Sequence, residues 1–254
     1  MFYYAITSLP LIKTKILTYQ PKKALFTYIC FMRMPYLDIH SHNMQDTDNI
    51  VRIVALEHAD DVPSSGFFSI AIHPWAFSSD DFHFRDCMNE LEQKASFPNV
   101  IAIGESGIDR CRKLTLPQQT ESFIEHIGLS ESLHKPLIIH SVRSTNDILF
   151  LHKRFRPSQP WIIHGFNGKK DEILQLVSHG IFLSVGALIL NTESSVRHNI
   201  SFIPPEQMFL ETDTSDIPIS DIYSEVSRLT SFSITFLQET VLSNFNRCFP
   251  SVIL

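Results

Sequence analysis

The sequence predicts an α/β fold and, within that class, a TIM-type (β/α)8 barrel. Eight apolar runs of strand length occur after residue 35, and segments with helical periodicity separate most of them. The runs are continuously apolar rather than alternating, which is typical of strands buried on both faces of a parallel sheet. Eight strands that alternate with helices favour a closed barrel over an open, doubly wound sheet.

Length and composition are those of one large globular domain. The chain has 254 residues, of which 44% are hydrophobic and 19% charged, so it can bury a sizeable core and is not a disordered chain. The formal net charge of -6 argues against a protein that binds duplex nucleic acid over a broad surface. The four cysteines form no CxxC pair and indicate reduced thiols in a cytoplasmic protein: Cys30, Cys87, Cys111 and Cys248.

Residues 1–33 differ from the rest of the chain, because they contain basic side chains and no acidic one. Their apolar stretches are too short to span a bilayer, so we expect no membrane-spanning segment. We interpret this segment as an extension outside the fold, with translation starting at Met32 or Met34 and the folded domain occupying residues 34–254. The alternative is a short targeting or membrane-associating extension.

The strands are assigned to the apolar runs in chain order: Tyr36–Ile39, Val51–Leu56, Phe67–Ile72, Val100–Gly104, Pro136–Ile139, Trp161–Ile163, Ile181–Val185 and Gln207–Leu210. The helices are assigned to segments that place apolar residues on one side: Asp80–Ser96, Thr115–His134, Thr145–Phe155, Lys170–His179, Glu193–Ile200, Ile219–Thr230 and Ile234–Asn246. The connections after the first and second strands have only about ten residues, which is the lower limit for a crossover helix. We therefore expect the barrel to be trimmed in its first crossovers.

The first strand runs into the sequence Asp38-Ile39-His40-Ser41-His42. Side chains alternate along a strand, so His40 and His42 are expected to point the same way and could share one metal ion. Asp38 would lie on that face too, where it could orient an imidazole. Taken alone, a His-x-His pair is a weak signal in a chain with 12 histidines.

Further candidate ligands follow later strands. In a barrel, the residues just after each strand form the rim where active sites lie, so these side chains are expected to converge. Any one of these polar residues has a plainer explanation, since every strand must end somewhere, but so many His and acidic residues together are not explained that way. The residues are His73, Glu105, His140, His164 and, after the last strand, Asp213.

Imidazoles together with two carboxylates suit two divalent cations such as Mg, Mn or Zn, and a carboxylate can bridge two ions. Two such ions can activate one water and stabilise both the attacking and the leaving oxygen of a phosphoryl group. Basic residues after the fourth, fifth and sixth strands could form a collar that holds a phosphate backbone, or an ordinary solvated rim: Arg110, Arg112, Lys113, Arg143, Lys169 and Lys170. Trp75 and Phe166 could stack on bases or simply pack in the fold.

The combined motifs resemble those of the TatD-like metal-dependent DNases, a family of amidohydrolase-type barrels. The resemblance covers about residues 36 to 249 and depends on the order of six motifs: Asp38-Ile39-His40-Ser41-His42, Ile72-His73-Pro74, Gly104-Glu105-Ser106-Gly107-Ile108-Asp109, Ile139-His140-Ser141, Ile163-His164-Gly165-Phe166 and Leu210-Glu211-Thr212-Asp213. Two departures leave substrate specificity open. Arg110 stands where the family usually has an aromatic residue, and Thr214-Ser215 stands where many members have Ala-Pro.

The resemblance implies a role for each ligand. His40 and His42 match the pair that holds the first metal, and Glu105 matches the bridging carboxylate. His140 and His164 match the ligands of the second metal. Asp213 matches a first-metal ligand that can act as general base for the attacking water. His73 matches a histidine that contacts substrate phosphate, and Glu211 lies behind the ligands.

These observations predict a hydrolase that cleaves phosphodiester bonds in DNA, with single-stranded ends as the easier substrate and with Arg110 and Arg143 contacting the substrate. A monomer is expected. The first alternative is an amidohydrolase-type enzyme that acts on a small amide, ester or lactone, which a closed apolar pocket would favour. The second is a binding protein without catalysis, which has no physical need for so complete a ligand set.

Overall fold

A parallel sheet of eight strands forms the centre of the molecule. The structure is a computed structural model that describes residues 34–45, 49–78 and 83–252. The strands are hydrogen-bonded in chain order. Their bounds are β1 Tyr36–Ser41, β2 Ile50–Glu57, β3 Phe67–Ala71, β4 Val100–Asp109, β5 Leu137–Val142, β6 Trp161–Ile163, β7 Phe182–Val185 and β8 Met208–Leu210. All eight predicted strands are confirmed.

The sheet closes on itself through the residues that follow β1 and β8. Ser41 forms a parallel bridge with Asp213. The backbone N–H of His42 donates to the carbonyl of Asp213 at 3.0 Å, and the N–H of Asp213 donates to the carbonyl of His40 at 3.0 Å. These bonds join the first strand to the last, so the predicted TIM-type barrel is confirmed.

Seven α-helices occur in the described residues, in the order that the sequence predicts. They are α1 Phe84–Ala95, α2 Leu116–Leu133, α3 Thr145–Phe155, α4 Lys170–Ser178, α5 Ser195–Asn199, α6 Ile219–Thr230 and α7 Ile234–Cys248. The helix predicted from Asp80 begins at Phe84, and residues 79–82 lie outside the described residues. The helix predicted over Glu193–Ile200 is reduced to α5, followed by a 3₁₀ turn over Ile200–Phe202.

The first two connections of the barrel are short, as predicted. Residues 42–49 join β1 to β2 and residues 58–66 join β2 to β3, and neither forms a helix in its described part. Arg52 of β2 holds the connection between β1 and β2, because its Nη1 donates to the carbonyl of Gln45 at 2.7 Å.

The core has an inner layer inside the barrel and an outer layer between the sheet and the helices. Strand residues such as Ile70, Ile103 and Leu183 are fully buried, as are Leu91 and Phe123 on the helices. Each such side chain stabilises the fold by roughly 1.5–3 kcal/mol relative to exposure. The predicted extension, residues 1–33, lies outside the described residues. Within the described residues we find no helix with the length and hydrophobicity needed to cross a bilayer.

Candidate metal centre

Two glycines bring Glu105 into the mouth of the barrel. Gly104 and Gly107 both have φ of +151°, a conformation that residues with a side chain rarely adopt. A Cβ at either position would overlap the backbone of β5, at Ile138 and His140 respectively. Strand β4 therefore approaches β5 more closely than a residue other than glycine would allow at these two positions. Glu105 lies between the ends of the strands, with only 7% of its surface exposed.

One oxygen of Glu105 faces the histidines of β1. Oε2 lies 3.3 Å from Nε2 of His40 and 3.7 Å from Nε2 of His42. Oδ1 of Asp213 lies 3.8 Å and 3.6 Å from the same two nitrogens. Two imidazoles and two carboxylates thus surround one point at the end of β1.

The other oxygen of Glu105 faces the histidines of the later strands. Oε1 lies 2.6 Å from Nε2 of His164 and 3.2 Å from Nε2 of His73, and it also contacts Nδ1 of His140. Nε2 of His164 and Nδ1 of His140 are 3.5 Å apart. The carboxylate of Glu105 therefore stands between two groups of donors, one on each oxygen.

The donor set fits divalent cations. Ligands held about 2.1 Å from one ion in a tetrahedral arrangement lie roughly 3.4 Å apart. The separations in the first group are close to this value, as are the 3.2 Å from Glu105 to His73 and the 3.5 Å from His164 to His140 in the second. Three triplets of ligand atoms lie within 4.8 Å of one another: His40, His42 and Asp213; His40, Glu105 and His164; His73, Glu105 and His140. Both ring nitrogens of His40 are buried; Nδ1 lacks a hydrogen-bond partner among the described residues, and Nε2 has only the facing carboxylates of Glu105 and Asp213. A buried imidazole in this position is costly unless another group, such as a cation between these donors, satisfies it.

The pKa values in the cluster follow from the opposed charges. Burial alone would raise the pKa of Glu105, but the charge of His164 and hydrogen bonds from the surrounding histidines hold it well below its usual range. Burial would lower the pKa of His164, but the charge of Glu105 raises it well above its usual range. The hydrogen bond to Glu105 also raises the pKa of His42. A cation must therefore displace protons from the imidazoles, so its binding strengthens as pH rises.

Two further carboxylates lie behind the ligands. Oε1 of Glu211 is 3.6 Å from Nδ1 of His164 and accepts a hydrogen bond from the N–H of Gly165. Asp109 lies 3.8 Å from Nε2 of His140. Carboxylates in this position fix the ring and increase its basicity. The role expected of Glu211 agrees with this placement. Asp109 had no assigned role: it lies beyond the predicted end of the fourth strand, and its only signal in the sequence is its place at the end of the motif Gly104-Glu105-Ser106-Gly107-Ile108-Asp109.

The prediction that Asp38 orients an imidazole is wrong. The register between β1 and β2 shifts between Asp38 and Ser41, so strict alternation of side chains cannot be assumed across this stretch. Within the described residues, the Asp38 carboxylate forms its hydrogen bonds with groups other than a histidine. Asp38 accepts hydrogen bonds from the N–H and Oγ1 of Thr212, at 2.9 and 2.8 Å, and from Nε of Arg52 at 3.0 Å.

Some of the basic side chains on the rim already interact with other residues of the chain. Arg110 forms two hydrogen bonds to Asp147, at 2.6 and 2.7 Å, so its charge is already paired. The guanidinium of Arg112 lies 4.4 Å from the ring centre of Trp75. Arg143 is exposed directly after β5 and has a left-handed φ of +54°. Of the other expected substrate contacts, His73 lies 3.2 Å from Oε1 of Glu105, and Arg143 forms no ion pair with a carboxylate among the described residues.

The two aromatic candidates on the rim differ in exposure. Phe166 is only 6% exposed and packs in the core. Trp75 is 48% exposed. Its indole N–H donates to Oδ2 of Asp109 at 2.8 Å, and its ring centre lies 5.0 Å from that of His73.

Comparison with known proteins supports the relationship that the motifs suggest. The family model described as TatD related DNase matches residues 39–250. The "Deoxyribonuclease Tat-D" of Schizosaccharomyces pombe is 31% identical over 118 residues, which cover 45% of this chain and 38% of that protein. The "3'-5' ssDNA/RNA exonuclease TatD" of Escherichia coli is 27% identical over 161 residues, which cover 59% of this chain and 58% of that protein. The matches thus span less than two thirds of either relative.

Solved structures agree on the fold. The crystal structure of YJJV, a TatD homologue from Escherichia coli, superimposes with a TM-score of 0.75 at 20% identity and covers 86% of this chain and 99% of that one. A hydrolase of the TatD family from Entamoeba histolytica superimposes with a TM-score of 0.69 at 16% identity, covering 87% of this chain and all of that one. The family match spans most of the barrel, and on that basis the chain belongs to the TatD-related DNase family.

Proposed function

We propose that this chain is a metal-dependent hydrolase that cleaves phosphodiester bonds in DNA, with single-stranded ends as its preferred substrate. The names of its relatives, a deoxyribonuclease and a single-strand exonuclease, support the reaction and the substrate. The observation that carries the proposal is the position of Glu105, whose two oxygens face two separate groups of metal donors. That arrangement is what a site for two ions, Mg, Mn or Zn, requires of a bridging carboxylate.

Different residues of the chain would hold each ion. His40, His42 and Asp213 would hold the first ion, His140 and His164 the second, and Glu105 both. When bound, the ions would supply Lewis-acid chemistry to the water and to the phosphoryl oxygens.

Asp213 would accept the proton of the attacking water. Its side chain is 38% exposed, so solvent can reach it, and backbone bonds on both sides fix its position. His73 and Arg143 would contact the phosphate, and Arg110 would contribute only where its pair with Asp147 opens.

The open rim favours a polymer over a small molecule. His42 and Asp213 keep 41% and 38% of their side-chain surfaces exposed. A hydrolase of small amides, esters or lactones needs a closed pocket around its substrate. The alternative amidohydrolase activity is therefore the weaker candidate.

The wider setting of the enzyme is also proposed. All donors of the site come from one chain, so a monomer suffices for activity. The cysteines, which include the free thiols of Cys87, Cys111 and Cys248, favour a reducing compartment such as the cytoplasm. We also propose that residues 34–254 form the hydrolase domain and that residues 1–33 are not needed for its fold.

The proposal is tested with Glu105→Gln and Asp213→Asn. Glu105→Gln should lose bound metal, measured by elemental analysis, together with metal-dependent cleavage of a single-stranded oligonucleotide. Asp213→Asn should lower kcat by about 10²- to 10⁴-fold, the usual contribution of a general base. The control is Glu90→Gln, an exposed carboxylate on α1 that should behave as wild type. Undiminished cleavage by the Glu105 variant would contradict the proposal.

A further inference from the structure

An exposed tryptophan stands beside the candidate metal ligands. Trp75 keeps 48% of its surface in solvent, although burial of so large an aromatic group would stabilise the fold. Its ring centre is 5.0 Å from that of His73 and 6.0 Å from that of His140. A planar group that bound to Trp75 would therefore lie next to the candidate site.

Three contacts hold the indole in place. Its N–H donates to Asp109 at 2.8 Å, and Asp109, itself 4% exposed, is fixed because it accepts a hydrogen bond from the N–H of Cys111 at 2.8 Å. The backbone N–H of Trp75 donates to Nδ1 of His73 at 3.2 Å. Arg112 places its guanidinium 4.4 Å from the ring centre. The ring is thus exposed and yet fixed, which lowers the entropy lost when a ligand binds.

We propose that Trp75, together with Arg112, is the surface on which a nucleobase of the substrate stacks during cleavage. The proposal deepens the proposed nuclease function and rests on it. Nucleobases stack on aromatic rings and on guanidinium planes whatever their sequence, while the cation attracts the adjoining phosphate. Trp75 lies so near His140 that the stacked base belongs to the nucleotide at, or next to, the cleaved bond.

The same contact explains a preference for single strands. Inside a duplex both faces of a base are covered by its neighbours, so stacking on Trp75 first requires the base to leave the helix. A strand end or an unpaired strand avoids that cost. The selectivity would come from the surface beside the metal ligands and not from the ligands themselves.

The test compares a single-stranded oligonucleotide with versions that lack one base, in which a tetrahydrofuran abasic residue occupies each position near the cleaved bond in turn. In wild type, removing the stacked base should lower kcat/KM by roughly 5- to 150-fold, the usual range for one base on one aromatic ring. In Trp75→Ala the ratio between intact and abasic substrates should fall towards one. Trp75→Phe, which keeps a ring but not the N–H, should keep most of the ratio.

The matched control is Phe97→Ala, since Phe97 is also 48% exposed but precedes β4 at the other end of the barrel. This variant should keep the wild-type ratio. A ratio that is the same in Trp75→Ala and in wild type would overturn the proposal, because Trp75 would then act only through packing.

A binding measurement separates this proposal from the nuclease function. The chain has two tryptophans, and Trp161 is 2% exposed, so Trp161→Phe leaves Trp75 as the only indole fluorophore. In a chelating buffer, the intact oligonucleotide should quench its emission and a fully abasic one should not. If wild type cleaves no oligonucleotide, the nuclease function fails while this quenching still supports a base-stacking surface. Absence of quenching would overturn the stacking proposal.

Discussion

A buried histidine below the rim should make the stability of the barrel depend on pH. His126 lies on α2 and is completely buried. Its Nε2 accepts a hydrogen bond from the N–H of Ile72 at 3.0 Å, and its Nδ1 donates to the carbonyl of Ser122 at 2.7 Å. The neutral ring thus uses one nitrogen as a donor and the other as an acceptor. A second proton, on Nε2, would remove the acceptor for the N–H of Ile72, the residue before His73.

The size of the effect follows from the pKa. Burial lowers the pKa of His126 from 6.5 to about 4. In the unfolded chain the imidazole takes up a proton near pH 6.5, while the folded chain resists it until about pH 4. The contribution to stability is therefore complete above pH 6.5 and is lost as pH falls towards 4. One pKa unit corresponds to about 1.36 kcal/mol, so the loss should reach about 2.5 kcal/mol at pH 4.5 and about 3 kcal/mol below pH 4.

Other groups titrate in the same range, so the assay must isolate this ring. The free energy of unfolding is measured by urea denaturation from pH 7.5 to 4.5 in wild type and in His126→Gln, whose amide can donate and accept in the same places. The wild type should lose about 2.5 kcal/mol more than the variant over this range. His198→Gln, at an exposed position on α5, should follow wild type. Parallel pH profiles for wild type and His126→Gln would refute a neutral, hydrogen-bonded imidazole at this site.

Two predictions concern the site itself. Glu211→Gln should weaken metal binding about 10- to 100-fold in titration calorimetry without unfolding the barrel, because it removes the charge behind a ligand imidazole; unchanged affinity would contradict the positioning role. Arg143→Ala should weaken binding of a single-stranded oligonucleotide and reduce the slope of log K against log salt by about 0.7, whereas Arg110→Ala should change it less because that charge is already paired. Equal slopes for the two variants would show that the paired arginine contacts phosphate too.

The strands could be predicted from the sequence because burial on both faces produces continuous apolar runs. Their ends could not, since a polar residue looks like the end of a strand wherever it occurs. Strand β4 is predicted to end at Gly104 but continues to Asp109, and all of its residues are buried. Polar residues such as Glu105 and Asp109 are buried in the strand because neighbouring protein groups bond to them, histidines in the case of Glu105 and the indole of Trp75 and the N–H of Cys111 in the case of Asp109.

The candidate site could be predicted as a set of residues, because the ends of parallel strands in a barrel must meet. The pairing of charges on the rim could not be predicted, since it depends on which helix faces which loop. Asp147 lies in the first turn of α3, and only the packing of that helix against the end of β4 brings it to Arg110. A count of basic residues therefore overstated the charge available to a substrate.

The error at Asp38 shows how one motif can serve two purposes. Strict alternation would place Asp38 and His40 on one face, but the strand register shifts between Asp38 and Ser41, and the Asp38 carboxylate bonds to Thr212 and Arg52 rather than to an imidazole. Asp38 then reaches Thr212, the residue between the two acidic residues that follow β8, and Thr212 Oγ1 is also 2.9 Å from Oγ of Ser41. Because β8 has only three residues with which to close the barrel, these side-chain bonds reinforce the seam between the first and last strands. The same seam joins the backbone of Asp213 to the carbonyl of His40, so a carboxylate outside the candidate metal site supports the strand ends that carry two of its candidate ligands.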